Sequence, residues 1–161
     1  MGQKAYDARM GMILRTLTRA HRVLDRVSGG RLGRRFPGGA VVVWIATLGR
    51  KSGQWRSNPL LAAPDRQSAT PAWVVAGSNA GQEKIPAWVF NVRAHPEGFV
   101  DIDSVAWSVR FEELSGPEKD RCYQLLTSVW RWFSAYQKNA SRDIPVFRLY
   151  LLERVSEIPG R

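Results

Sequence analysis

Short runs of β-branched and aromatic residues, separated by glycine, proline and polar breaks, constrain this chain more than any other feature. Residues 40–48 hold Val41, Val42, Val43, Trp44 and Ile45 in one unbroken run, a length and composition that suit a buried strand. Residues 56–63 and 71–77 read as two more strands, with a polar loop around 65–70 between them. Residues 99–103 and 105–113 read as a hairpin. Val105, Trp107, Val109 and Phe111 face one way and Ser108 and Arg110 the other, the period of two of a half-buried sheet. Residues 145–153 supply a last strand. Two helices interrupt the series. One is short, over 86–94, entered at Pro86. The other is long, over 117–139, where Ser115 and Glu118 have the capping-box spacing with Pro117 between them. Antiparallel strands of even length with short connections favour a closed or partly closed barrel over a doubly wound sheet.

The chain of 161 residues, 44% hydrophobic and 24% charged, suits one domain with one core. Its single cysteine, Cys122, cannot form an internal disulfide, and with only His21 and His95 beside it no spacing offers a metal site. No signal-peptide h-region stands in the first thirty residues, and no apolar run approaches the ~18 residues of a membrane-spanning helix. The expectation is a reducing, cytoplasmic protein.

Charge is distributed unevenly. The net charge is +10. Residues 1–56 hold twelve Lys and Arg against Asp7 and Asp25, whereas twelve oppose twelve in the remainder. A clustered basic field suits an anionic partner: nucleic acid, an acidic membrane surface, or a phosphorylated or polycarboxylate ligand. Within residues 5–27, Met10, Ile13, Leu14, Leu17, Leu24 and Val27 recur at amphipathic-helix spacing beside Arg9, Arg15, Arg19, Arg22 and Arg26. Such a helix packs on the domain or lies on an anionic membrane. Gly29, Gly30, Gly33, Pro37, Gly38 and Gly39 then form a connection, so residues 1–39 divide from a body at 40–161.

Residues 47–60 carry the functional signal: Thr47-Leu48-Gly49-Arg50-Lys51-Ser52-Gly53-Gln54-Trp55-Arg56-Ser57-Asn58-Pro59-Leu60. Gly49 and Gly53 permit a sharp turn, and Arg50, Lys51 and Arg56 with exposed amides can hold phosphate oxygens. The order of a Walker loop is absent. Physically this is an anion-binding hairpin or a basic surface turn.

Taken with Ala76-Gly77-Ser78-Asn79-Ala80-Gly81, with Pro86-Ala87-Trp88-Val89-Phe90-Asn91-Val92-Arg93-Ala94-His95-Pro96, with Tyr136-Gln137 and with Ile144-Pro145-Val146, this segment resembles the deazaflavin-dependent nitroreductases and quinone reductases of actinobacteria. The resemblance implies a mainly β (α+β) split barrel of the FMN-binding kind, with an N-terminal helix and a long helix before the last strand. It also implies coenzyme F420 in preference to FMN or FAD, and hydride transfer to an organic acceptor such as a quinone or nitroaromatic. On that basis Thr47, Gly49, Arg50, Lys51, Ser52, Gly53 and Arg56 grip the anionic tail. Pro59, Leu60, Ala76, Gly77, Ser78 and Asn79 line the deazaflavin ring, and Trp88 and Asn91 close the site. Trp88 as a core aromatic and Asn91 as a cap or turn partner are the plainer readings. Ser78 and Tyr136 are the implied catalytic hydroxyls, and Trp130, Phe133 and Tyr136, at three-residue intervals on the predicted long helix, form the implied acceptor wall.

Two other functions fit parts of the sequence. A basic barrel with seven tryptophans could bind nucleic acid, but Trp44, Trp73, Trp88 and Trp107 fall inside predicted elements, as core residues would, so no nucleic acid is expected. A cofactor-binding carrier or regulator without turnover is the second.

Overall fold

A computed structural model describes residues 38–160, together with Ala5, Asp7, Ala8, Arg9, Met12, Ile13 and Ala20. Those seven isolated positions are helical. The remainder of the expected amphipathic helix and most of its glycine and proline connection lie outside the described residues.

The strand run at Val41 opens a six-stranded antiparallel barrel. Its strands are β1 (Val41–Leu48), β2 (Trp55–Pro64), β3 (Ala72–Ala76), β4 (Glu97–Ile102), β5 (Val105–Glu113) and β6 (Val146–Val155). They close in the order β1-β2-β3-β6-β5-β4. Closure follows from β1, which pairs with β2 on one side and with β4 on the other, for example Trp44 opposite both Pro59 and Asp101. Side chains of β1 alternate accordingly. Val41, Val43 and Ile45 enter the barrel with Val75, Val100, Val109, Phe111, Phe147 and Leu149. Trp44 and Ala46 face outward and are covered by Ala106, Ile158, Trp55 and Phe99. The β4–β5 hairpin turns through Asp103 and Ser104, both at positive φ, and the Asp101 carboxylate accepts from the Ser104 amide at 2.9 Å.

Helix α1 (Ala87–Ala94) buries Trp88, Val89 and Val92 in the barrel interior. Trp88 meets Phe147 edge-on at 5.3 Å between ring centroids. Helices α2 (Gly116–Val129) and α3 (Trp132–Asn139) cover the outer face of β2, β3 and β6 through Cys122, Leu126 and Phe133.

The single long helix expected over 117–139 is thus two. Trp130 leaves helical geometry at φ −147° and ψ 94°, its amide still donating to the Leu126 carbonyl at 2.9 Å. In an unbroken helix Tyr123 and Phe133 would stand ~15 Å apart along the axis. The break instead brings their rings to 6.0 Å, and the Tyr123 hydroxyl donates to the Phe133 carbonyl at 2.7 Å. Burial of Phe133, 3% exposed, outweighs the helical hydrogen bonds forgone. The capping box is also replaced: Ser115 occupies the N-cap with no side-chain capping bond, and Glu118 accepts from Arg121 and Arg148.

Candidate active site

The basic hairpin is built by its glycines and held by α1. The Gly49 amide donates to the Gln54 carbonyl at 2.9 Å and the Gly53 amide to the Gly49 carbonyl at 2.8 Å, with Gly53 at φ +63°. A Cβ at Gly49 would meet Ser52 Oγ at 2.6 Å and the Gln54 carbonyl oxygen at 3.0 Å, so a side chain there would force this tight loop to shift. Asn91, 6% exposed, fixes the loop to the helix. Its Nδ2 donates to Thr47 Oγ1 at 3.2 Å and its Oδ1 accepts from the Arg50 amide at 3.2 Å. The Arg50 guanidinium lies over the Phe90 ring at 4.9 Å. Asn91 is therefore a turn partner, and buried Trp88 is a core aromatic. Both hold the site together from behind.

The cations of this hairpin have no acidic partner among the described residues. Arg50, Lys51 and Arg56 are exposed, and Arg56 donates only to the neutral Gln54 Oε1, at 2.9 Å. The arginines around Asp65, by contrast, are paired with acids. Asp65 receives Arg121 at 2.9 and 3.1 Å and Arg148 at 2.9 Å. Burial alone would push the Asp65 carboxyl up, but the Arg121 hydrogen bond and charge, the Gln67 amide and Arg148 hold it below its ordinary range. Glu118 is held down at about 2 by hydrogen bonds from Arg121 and then Arg148. Asp65, Glu118 and Cys122 do gather within 4.8 Å. Both carboxylates are committed to arginines, however, and burial pushes the Cys122 thiol up, so this cluster is a saturated ion network.

Beside the hairpin the barrel is split. Strand β3 pairs with β2 only from Ala62 to Pro64, while residues 55–61 of β2 pair with β1 alone. Alternate backbone groups of that stretch face a gap between the parting strands. Pro59 and Leu60 border it on one side. Ala76 ends β3, paired with Val146 of β6, and Gly77, Ser78 and Asn79 follow it. Pro59 is tolerated because the ladder is incomplete there.

Past β3 the chain makes a left-handed turn: Asn79, Ala80 and Gly81 take φ of 46°, 51° and 77°. For residues with a Cβ this costs roughly 1–2 kcal/mol each. Arg142, unmarked by the sequence reading, supports the turn. Its Nη2 donates to the Gly77 and Ser78 carbonyls, each at 3.0 Å, and its Nε to the Gln82 carbonyl at 3.0 Å. The turn also lies against α3, where a Cβ at Gly81 would meet the Tyr136 carbonyl at 2.9 Å. Ser78 and Tyr136 thus stand on adjoining segments. Trp130 Nε1 donates to the Tyr136 hydroxyl at 3.5 Å. Phe133, expected on the acceptor wall, is turned into the α2–α3 core, where it packs edge-on against Tyr136 at 5.5 Å.

Two surface clefts, of about 710 and 310 Å³, lie away from this arrangement. The first contains the Arg93–Glu113 and Lys119–Asp143 pairs and the second Asp65 with Arg121. Each holds at least one acid paired with a cation, which the hairpin does not among the described residues.

Comparison with known proteins decides what the hairpin and gap belong to. The family model of the F420H(2)-dependent quinone reductases matches residues 17–150. The chain belongs to this family. An F420H(2)-dependent quinone reductase of Mycobacterium tuberculosis strain H37Rv is 28% identical over 133 residues, 81% of this chain and 87% of that protein. The structure of an F420-H2 dependent reductase, FDR-A, superposes with a TM-score of 0.59 at 30% identity, covering 67% of this chain and 92% of its own. A structure described as a domain-swapped dimer gives 0.60 at 30% identity, with 81% and 93% covered. The haem storage protein HutZ of Vibrio cholerae, at 10% identity, 0.54, and coverage of 80% and 89%, shares the fold alone.

As a family member the protein is an F420-dependent oxidoreductase of quinones. The residues present fit that cofactor: cations without acidic partners among the described residues suit its anionic tail, and the β2 edge that β3 leaves unpaired offers backbone groups to a flat ring. Bound F420H2 supplies a hydride from its deazaflavin C5. The protein has to hold donor and acceptor in contact, exclude water and provide a proton.

Proposed function

We propose that the basic hairpin holds the phosphate and glutamate tail of F420 through Arg50, Lys51 and Arg56, with Ser52 and the Gly49 and Gly53 amides adding hydrogen bonds. Thr47 and Asn91 position the hairpin without touching the ligand. The deazaflavin ring lies in the gap between Pro59 and Leu60 on one strand and Ala76 to Asn79 on the other. Tyr136 and Ser78 offer hydroxyls to the quinone oxygen, as hydrogen-bond donors to the charge that develops when hydride arrives. Trp130 supplies the apolar wall beside Tyr136, and Phe133 supports it from the core. A nitroaromatic of similar size is a second acceptor class. The observation that carries this reading is the gathering of three exposed cations, none with an acidic partner among the described residues, on one tight glycine turn.

Residues 1–39 form, in this reading, a basic amphipathic attachment to the catalytic body at 40–161, placing a cytoplasmic enzyme on the anionic inner face of the membrane. Exposure of Met12 (66%) and Ile13 (42%) supports it. Co-sedimentation with anionic vesicles should be strong for the full chain and lost when residues 1–30 are removed, with F420 affinity retained. No sedimentation of the full chain would refute the attachment.

The acceptor assignment is tested with Tyr136→Phe. Menadione turnover should fall while the F420 dissociation constant stays unchanged, because the hydroxyl acts on the acceptor. Wild-type turnover in this variant would place the acceptor off α3.

A further inference from the structure

Arg142 lies between the two segments that carry Ser78 and Tyr136, and it is bonded to both. Toward the first, its guanidinium gathers the carbonyls of Gly77, Ser78 and Gln82. Toward the second, its own carbonyl accepts from Gln137 Nε2 at 3.1 Å, one residue beyond Tyr136. The connection is reinforced at its flanks. Gln137 Oε1 accepts from the Ile144 amide at 3.3 Å, and Glu83 accepts from the Ser141 amide and hydroxyl at 2.6 and 2.9 Å.

What the guanidinium holds is a conformation the chain would not adopt unaided. Ser78 is right-handed at φ −68° and ψ −33°, followed by three residues at positive φ. A right-to-left reversal of this kind turns successive amides to one side, as in an anion-binding nest. Carbonyls from both ends of the reversal meet on the other side, and there Arg142 satisfies them. No acceptor among the described residues takes the Ser78 or Asn79 amide. The planar fork of arginine can span three carbonyls at once, which a lysine ammonium on its single point cannot.

We infer that Arg142 is a positioning residue for quinone reduction: it holds the Ser78–Gly81 reversal in shape and sets the spacing between Ser78 and Tyr136. This rests on the reading that the reversal borders the ring and acceptor. It is a role distinct from cofactor anchoring, because the basic hairpin holds the tail independently.

The experiment uses the full chain with Arg142→Ala and, as a milder change, Arg142→Lys. The first readout is amide hydrogen exchange at Gly81 and Gln82 without cofactor, since these amides close the turn onto the Ser78 and Asn79 carbonyls. In Arg142→Ala their protection should fall while that of the barrel strands stays, and millimolar guanidinium ion should restore it. With F420H2 and menadione, kcat should fall on the order of a hundredfold, as a misplacement near 1 Å can cause, with the F420 dissociation constant changed less than threefold. Guanidinium should recover part of the rate. Arg142→Lys should fold like wild type and lie between the two in protection and rate. Unchanged protection at Gly81 and Gln82 in either folded variant overturns the inference. Lost protection with wild-type kcat also overturns the role in catalysis, and in that case the reading that fails with it is the location of the acceptor beside this turn.

Discussion

Two arginine-rich regions of this protein use the same chemistry in opposite ways. Around Asp65, the guanidinium groups of Arg121 and Arg148 are matched by Asp65 and Glu118, joining β6, α2 and the end of β2. At the β1–β2 hairpin, Arg50, Lys51 and Arg56 find no acid among the described residues. The first region spends its charge on the fold, and removal of one partner leaves the others stranded in a poorly solvated place. The second keeps its charge in water, where it contributes little to stability and remains available to an anion. The lesson is that net charge says little until each cation has been matched with its partners.

Substitution at Asp65 should produce the largest effect. Asp65→Ala leaves Arg148, whose side chain is 10% exposed, with Glu118 as its nearest remaining partner. The expected loss is about 3 kcal/mol, the lower end for a broken buried pair, read by chemical denaturation, with F420 affinity of the folded protein unchanged. A loss below 1 kcal/mol would remove the distinction between the two regions. The network also has an acid signature. Glu118 titrates at about 2 against an ordinary 4.5, and Asp65 is likewise lowered. Because the folded state binds these protons more weakly than the unfolded state, their stabilisation is complete above about pH 4.5 and is lost as the pH falls toward 2. A melting temperature flat across that window would contradict the pairing.

At the hairpin the pattern should invert. Arg56→Ala should weaken F420 binding by about 1.5–3 kcal/mol, the value of a charge-assisted phosphate hydrogen bond, with no change in unfolding. The smallest effect belongs to Arg93→Ala. Its pair with Glu113 is exposed, at 40% and 37%, although bidentate, so it should cost less than about 1 kcal/mol and leave cofactor binding untouched.

The sequence made the strands legible because their signal is local. The run at Val41 and the alternation in β5 needed no tertiary knowledge, and the glycines of the hairpin marked their own turn. What depended on distant partners was not legible. The break at Trp130 reflects how Phe133 packs against Tyr123, which an amphipathic pattern does not encode. Asn91 acquires its meaning from Thr47 and Arg50, forty-four and forty-one positions away. Arg142 lies next to Ile144-Pro145-Val146, the motif picked out in the sequence, yet nothing local separates it from other surface arginines. Only the three carbonyls converging on it do so. The Asp65 network was hidden for the same reason, with partners fifty-six and eighty-three residues distant.

The central claim is that the unpaired hairpin cations hold an anionic tail specific to the deazaflavin cofactor. Parallel fluorescence titrations of the full-length protein with F420 and FMN, repeated at rising salt, test it most directly. F420 should bind in the micromolar range and more tightly than FMN, because its longer anionic tail reaches Arg50, Lys51 and Arg56. Its affinity should fall as salt screens exposed charge. FMN binding as tight as F420 at physiological salt, or F420 binding indifferent to salt, would contradict the account.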